Sequence, residues 1–253
     1  MKSNRSTSYE RDLPAVLLVG GMGTRLRSVL PAAVPKPLAR VGSAPFLELL
    51  VRQLRAQGIP RLIMCTGHFA DKIEEHFRDG AGWDIAIEYS KETEPLGTAG
   101  AVKLAARHLE GVADFVVMNG DSFLEMDFCE LTRFHRQHGG LVSLAVRRVP
   151  NAARYGTVWM DGSYRVLDFH EKRGIQESGL INAGIYIFSR DVLERIPDGP
   201  SSLEKDIFPR LLEDGIFGSL QHGTFVDIGT PEDYARAQAS CRNLELAARD
   251  VSR

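Results

Sequence analysis

The sequence predicts an α/β fold built on a doubly wound, mixed sheet flanked by helices, and three observations carry that reading. Short β-branched runs alternate with helical segments over the first half of the chain. A glycine-rich turn at Gly20, Gly21 and Gly23 closes the first of these runs. Past residue 140, strand-like runs follow one another with little helix between them, which adds antiparallel members to the sheet.

Each element has its own signal. Residues 15–19 form a short apolar strand that leads into the glycines. Residues 45–57 place Phe46, Leu49, Leu50 and Leu54 at helical spacing, and Gly58 ends that helix. Residues 61–65 read as a strand, 71–77 as a short helix burying Ile73 and Phe77, and 85–89 as another strand. A helix is expected over 98–109, with Val102, Leu104 and Ala105 packing inward. Residues 114–118 form a buried strand ending at Asn119-Gly120-Asp121. To this point strand and helix alternate strictly, the mark of a doubly wound, Rossmann-like half. Strands at 141–146, 156–160, 164–169 and 181–188 follow, and helices near 203–212 and 232–246 close the chain. One domain over 13–253 is expected, in two lobes, preceded by a mobile polar tail at 1–12.

Composition bounds the function. With 253 residues, 43% hydrophobic and 25% charged, the chain can bury a sizeable core and has an ordinary globular balance. A net charge of −2 argues against nucleic-acid binding through a general basic field, so anion recognition has to be local. No apolar run reaches the ~20 residues that span a bilayer, and the first dozen residues lack the apolar core of a secretion signal. Cys65, Cys129 and Cys241 are scattered and odd in number, which indicates neither a disulfide framework nor a zinc site. A cytoplasmic protein without membrane or nucleic-acid partners is expected.

Glycines at a strand end let the backbone approach a ligand and turn its N–H groups toward an anion. Here Gly20, Gly21 and Gly23 precede Thr24 and Arg25, and Lys36 stands between Pro35 and Pro37. Arginine forks onto phosphate oxygens and lysine adds a compact charge, so the stretch reads as a polyphosphate cradle. It is not the dinucleotide fingerprint, whose third glycine falls on Leu26, nor a Walker loop, since no Gly-Lys-Ser/Thr follows. A nicotinamide oxidoreductase would also need an acidic ribose ligand after the next strand, and Cys-Thr-Gly-His at 65–68 offers none.

Four further groups complete the chemistry. Asp121 stands at a strand's carboxyl end, where open α/β sheets bind ligands. Asp227 ends a late apolar strand, and the two carboxylates together suit one Mg2+ held on phosphates. Thr230 and Pro231 just beyond it read as a helix cap and first turn. The loop at 92–101 is rich in small residues, so a planar base can lie against it at Gly97 and Thr98. Glu92 or Glu94 could accept from guanine N1–H and N2–H together, although each also reads as a solvated surface glutamate. Lys172 suits a sugar phosphate and Glu171 and Asn182 suit sugar hydroxyls, with Gly120 and Gly156 completing the substrate side. Outside this context Glu171-Lys172 is an ordinary surface ion pair.

Together these residues resemble the sugar-phosphate nucleotidyltransferases, which join a nucleoside triphosphate to a sugar 1-phosphate and release pyrophosphate. The likeness runs from about residue 13 to 243. The family's Gly-Gly-x-Gly-Thr-Arg-Leu pattern is met at 20–26 and its Pro-Lys-Pro at 35–37, with Val19 in place of the usual alanine. Its metal-binding aspartates fall on Asp121 and Asp227, and its sugar-phosphate lysine on Lys172. Residues 27–37, 45–48 and 94–101 are most similar to D-glycero-D-manno-heptose 1-phosphate guanylyltransferases, with mannose-1-phosphate guanylyltransferases the close rival.

The resemblance implies a nucleotide-diphospho-sugar transferase fold, GTP and a heptose 1-phosphate as substrates, Mg2+ as cofactor and a place in cytoplasmic GDP-heptose supply for surface polysaccharide. It assigns catalysis to Arg25, Lys36 and Asp121, with Arg25 on the departing pyrophosphate and Lys36 on the α-phosphate. Residues 13–125 become the nucleotide-binding half and 126–253 the sugar-binding half. A homo-oligomer is in keeping, since related enzymes often pair. The end at Arg253 leaves no room for the acyltransferase or β-helix domain that some relatives append, so a single-function enzyme is expected. Glucose 1-phosphate with UTP or dTTP is an alternative substrate pair. A non-catalytic sugar-nucleotide-binding regulatory subunit is the alternative of another class, but it should have lost Arg25, Lys36 or one aspartate, and all are present.

Overall fold

The computed structural model describes residues 13–31, 33–170 and 177–248; the expected tail at 1–12 lies outside these. The first strand, β1 (Ala15–Leu18), is central, and Ala15, Val16 and Leu17 are fully buried. Two short strands, β2 (Arg40–Val41) and β3 (Ala44–Pro45), pair as a hairpin that feeds α1 (Phe46–Ala56). Then come β4 (Arg61–Thr66), α2 (Ala70–Phe77), β5 (Ala86–Lys91), α3 (Gly97–Leu104) and β6 (Asp114–Asn119).

β4 and β6 pair in parallel on either side of β1, and β5 extends the sheet from β4. Burial on both faces is why these strands read as apolar runs rather than as alternating ones. Their side chains still sort by face. Leu17, Met64 and Met118 share a core with Leu47, Leu50 and Leu54 of α1. Val16, Ile63 and Val117 share the opposite core with Ala99 and Val102 of α3. The sheet is therefore doubly wound, as the alternation predicts.

The second half continues with β7 (Ser122–Leu124), α4 (Phe128–His138), β8 (Val142–Val149), β9 (Thr157–Met160), β10 (Val166–His170) and β11 (Gly179–Ser189). It ends with α5 (Val192–Arg195), α6 (Phe208–Gly215), β12 (Ile216–Gln221), β13 (Phe225–Asp227), α7 (Pro231–Ala239) and α8 (Cys241–Ala247). β11 joins the two halves. It runs antiparallel to β6 on one side and to β8 on the other, and touches β9 at Ile181. The antiparallel extension is the expected one, but β12 pairs with β8 in parallel. The nine described strands of this sheet run β12-β8-β11-β6-β1-β4-β5, with the β9–β10 hairpin beside the start of β11. A separate ribbon pairs β7 with β13. Among the described residues no helix is long and apolar enough to cross a membrane.

Three expected helices differ in detail. The helix expected over 98–109 is α-helical only to Leu104 and tightens to a 3-10 turn over Ala105–Leu109. The helix near 203–212 opens with a π-turn, Leu203–Ile207, before α6. The last helix divides at Ser240 into α7 and α8.

The turn between α2 and β5 offers a test of the backbone. Gly80 has φ +83°, and a Cβ there would lie 2.0 Å from the Ile85 carbonyl oxygen. Gly58 has a similar φ of +77° but open space around it. Gly58→Ala is expected to cost about 1 kcal/mol, the left-handed strain alone, whereas Gly80→Ala adds a backbone collision and should cost at least about twice that. Urea-unfolding midpoints of the two variants check the ordering; equal losses would refute the collision.

Candidate active site

β1 lies between β4 and β6 although the chain visits β4 and β5 before returning to β6, so the strand order reverses beside β1. Ligands in open α/β sheets bind at that switch point, beyond the strands' carboxyl ends. Two clefts open there, of about 620 and about 410 Å³. Gly23, Lys36, Asn119 and Asp121 line both and mark their junction. Gly20, Gly21, Glu92, Gly97, Thr98 and Gly120 line the larger. Thr24, Arg25, Gly156, Asn182 and Asp227 line the smaller. Glu171 and Lys172 lie outside the described residues. The other predicted site residues are thus gathered around one junction.

The glycine loop is shaped by its neighbours. Gly23 is left-handed, φ +58°, and a Cβ on it would lie 2.8 Å from the Lys36 Cβ, so the glycine loop and the Pro-Lys-Pro turn interlock. A Cβ on Gly20 would lie 2.9 Å from Glu92 Oε1. Among the described residues nothing lies within 4 Å of a Cβ position on Gly21, so its backbone is open to the cleft. Arg25 follows on a 3-10 turn, Thr24–Leu26, anchored by the buried Leu26.

Asp121 hangs from a tight turn. Gly120 donates its N–H to Leu18 O at 3.0 Å, and any Cβ on it would meet Val19 Cγ1 at 2.5 Å. Lys36 Nζ donates to Asp121 Oδ2 at 2.5 Å. Asp227 comes from β13, whose pairing with β7 sets Asp227 opposite Ser122. The Ser122 hydroxyl bridges the two acids, 3.4 Å from Asp121 Oδ1 and 3.1 Å from Asp227 Oδ2. Gly229 N–H donates to Asp227 Oδ1 at 2.7 Å. Burial raises the Asp121 carboxyl, but the Lys36 ammonium outweighs it and holds the group below its ordinary value. Asp227 lacks that contact: burial first, then the charge of Asp121, push it up to about 6.

Glu92 does structural work in the larger cleft. It accepts the Leu96 N–H at 3.1 Å, and a Cβ on Gly67 would lie 2.4 Å from its Oε1. Burial raises its carboxyl, opposed by the Leu96 hydrogen bond. The loop it shapes docks on the second half of the chain. Gly97 is left-handed, φ +70°, and a Cβ there would lie 2.5 Å from Ser201 O. That carbonyl accepts the N–H groups of Ala99 (3.0 Å) and Gly100 (3.3 Å) at the start of α3. Thr98 Oγ1 accepts from Leu203 N–H at 2.8 Å and donates to Glu204 Oε2 at 3.1 Å.

The smaller cleft contains residues that the sequence did not single out. Arg154 clamps Asp233 with two hydrogen bonds, 2.8 and 2.7 Å, and donates to Thr230 Oγ1 at 3.1 Å. Thr230 caps α7 through the Asp233 N–H, as the Thr-Pro pair predicts. An acid three residues after a capping threonine is the signal that could have found Asp233. Nothing local points to Arg154, 79 positions away. Glu204 lines the same cleft from the π-turn, and Asn119 Oδ1 at the junction is buried without a partner among the described residues.

The fold places this junction at a ligand-binding position, and comparison with known proteins assigns the chain to a family. The family described as Nucleotidyl transferase matches residues 14–243, and the chain belongs to that family. It is 39% identical over 229 residues to the mannose-1-phosphate guanylyltransferase of Mycobacterium tuberculosis, covering 89% of this chain and 63% of that protein. It is 38% identical to the mannose-1-phosphate guanylyltransferase catalytic subunit beta of Xenopus tropicalis, covering 88% and 62%. The chain therefore spans under two thirds of the length of these curated relatives. The crystal structure of HddC from Yersinia pseudotuberculosis, complexed with GMP-PN, superposes with a TM-score of 0.81 at 33% identity, over 90% of this chain and 99% of that one.

Proposed function

We propose that the protein transfers the guanylyl group of GTP to a sugar 1-phosphate, giving a GDP-sugar and pyrophosphate. The observation that carries this reading is the junction itself, where the glycine loop and Lys36 meet the acidic pair between two clefts. An oxygen of the sugar phosphate attacks the α-phosphorus of GTP. The bond to the bridging oxygen breaks as the new one forms, and pyrophosphate leaves with that electron pair. Such a step needs positioning and charge stabilisation more than a strong base. Gly20, Gly21, Gly23 and Thr24 receive the triphosphate, Arg25 holds the departing pyrophosphate and Lys36 the α-phosphate. Glu92, Gly97 and Thr98 form the nucleotide wall. Lys172 holds the sugar phosphate, Glu171, Asn182 and Gly156 complete the acceptor side, and Gly120, on the larger cleft, serves it by setting the turn that carries Asp121 to the junction. In this reading 13–125 and 126–253 are the nucleotide and sugar halves of one domain that works in the cytoplasm.

Asp121 and Asp227 fit a magnesium ion: they are hard oxygen donors bridged by one hydroxyl, and the charge of Asp121 raises the cost of ionising Asp227. Bound there, magnesium supplies charge neutralisation to the phosphate oxygens. A proton on Asp227 competes with the metal, so affinity should fall as pH drops through about 6. Calorimetric titration with Mg2+ should show roughly tenfold weaker binding at pH 5 than at pH 7. Affinity independent of pH over that range would remove Asp227 from the metal site.

The choice of GTP is supported by the names of the curated relatives and by the guanosine-type ligand of the HddC structure. D-glycero-D-manno-heptose 1-phosphate is the acceptor the motifs favour, and mannose 1-phosphate is the one the curated names favour. The test is pyrophosphate release with Mg2+, four nucleoside triphosphates and a panel of sugar 1-phosphates. Turnover with GTP and the heptose but not mannose is expected. Preference for UTP or dTTP with glucose 1-phosphate would overturn both substrate assignments, and no turnover with any pair would overturn the reaction.

A further inference from the structure

Between the two clefts runs a chain of hydrogen bonds that ends on Glu204 from both sides. On the nucleotide side, Thr98 Oγ1 already accepts from Leu203 N–H, so its only proton goes to Glu204 Oε2. Ser202 Oγ donates to the same oxygen at 3.0 Å. On the sugar side, Asn182 Oδ1 accepts from Gly184 N–H at 3.0 Å, which fixes the amide so that Nδ2 donates to the Tyr186 hydroxyl at 2.7 Å. Tyr186 in turn directs its proton to Glu204 Oε1, 3.5 Å away. Thr98 lines the larger cleft and Asn182 the smaller, while Tyr186 is wholly buried against Phe188 and Phe208.

The polarity of this chain is set at one point. A carboxylate only accepts, so every hydroxyl in the chain must face Glu204, and the second N–H of Asn182 is left for the cleft. Glu204 can take this position because it stands on the π-turn, a local widening of the helix often found at functional sites. Leu203 of this turn, and Ser201 just before it, receive the start of α3, so a shift of Thr98 is a shift of Glu204.

We propose that Glu204 is a positioning residue that couples the two clefts, so that nucleotide and sugar phosphate each bind more tightly when the other is present. The proposal rests on the guanylyltransferase reading. Coupling between sites is reciprocal and typically five- to 150-fold, so enhancement on the order of tenfold is expected.

The test is calorimetry with Mg2+ and a non-hydrolysable GTP analogue, with and without a saturating sugar 1-phosphate, using the one that supports turnover in the panel above. The unmodified protein should show the roughly tenfold ratio of affinities. Glu204→Gln keeps the shape but introduces a donor, and Tyr186→Phe cuts the chain on the far side by removing one hydroxyl. Both should bring the ratio to within about twofold of one. A merely structural role would weaken both affinities by a common factor and leave the ratio intact, and that result overturns the proposal. A ratio of one in the unmodified protein overturns it equally. Failure of every substrate pair in the panel would instead bring down the functional reading, and this proposal with it.

Discussion

Asp121→Asn is expected to lower turnover by about a hundredfold or more, on the order of 3 kcal/mol of barrier, the loss typical of one preorganised charge contact. The change is isosteric, so the tight turn at Gly120 survives. What goes is the negative charge that Lys36 faces at 2.5 Å and that raises its neighbour Asp227. Asp227 should therefore move down from about 6 toward the ordinary carboxylate value, held up by burial and the charge of Asp233. Two measurements check this: the rate of pyrophosphate release at saturating Mg2+, and NMR titration of the Asp227 carboxyl. Turnover within about threefold of the unmodified protein would remove Asp121 from the chemistry.

Gly97→Ala should be nearly as damaging, by a different route. The left-handed backbone costs about 1 kcal/mol with a side chain, and the new Cβ would press on Ser201 O at 2.5 Å. Relief requires that carbonyl to back away from the N–H groups of Ala99 and Gly100, which it satisfies. Thr98 is then drawn off Leu203 and Glu204. At least a tenfold rise in KM for the nucleotide is expected, with a lower melting temperature and a smaller change in kcat. An unchanged KM would show that the wall of the larger cleft does not depend on this dock.

The parts of the site that were legible in the sequence share one property. Gly20 to Arg25, Asp121 and Asp227 each follow an apolar strand, so a local pattern both names the residue and puts it at a strand's carboxyl end. Arg154 follows no such rule, because its partner Asp233 is brought to it by tertiary structure alone. The unexpected α4 is a case of disguised periodicity. Its buried positions are Phe128, Leu131, Thr132 and His135, a regular helical face on which two members are polar. His135 is tolerated there because Ser143 and Ser189 satisfy both ring nitrogens, at 2.9 and 3.1 Å. The unexpected β12 carries a glycine where a side chain would strengthen a strand signal. Gly218 makes room for the side chains of Met160 and Val146, which a Cβ there would press aside. In each case long-range partners made an unpromising local sequence acceptable, and no short window records them.

The shift of register in β11, between Asn182 and Tyr186, has a consequence for how such a protein can change. Gly184 has φ +76° at that break, and beyond it β11 lies locked against β6 from Ile185 to Ser189. Before it, the same strand leaves β6 and carries Asn182 into the smaller cleft. The strand is thus a beam whose first arm keeps its pairing with β8 over 179–182 but exchanges β6 for β9. Insertions or substitutions on the arm and on the β9–β10 hairpin beside it can reshape the wall of the smaller cleft while the anchored length keeps the junction of the two clefts in place. Under the proposed function, new acceptors can be tried on this scaffold without rebuilding the nucleotide side.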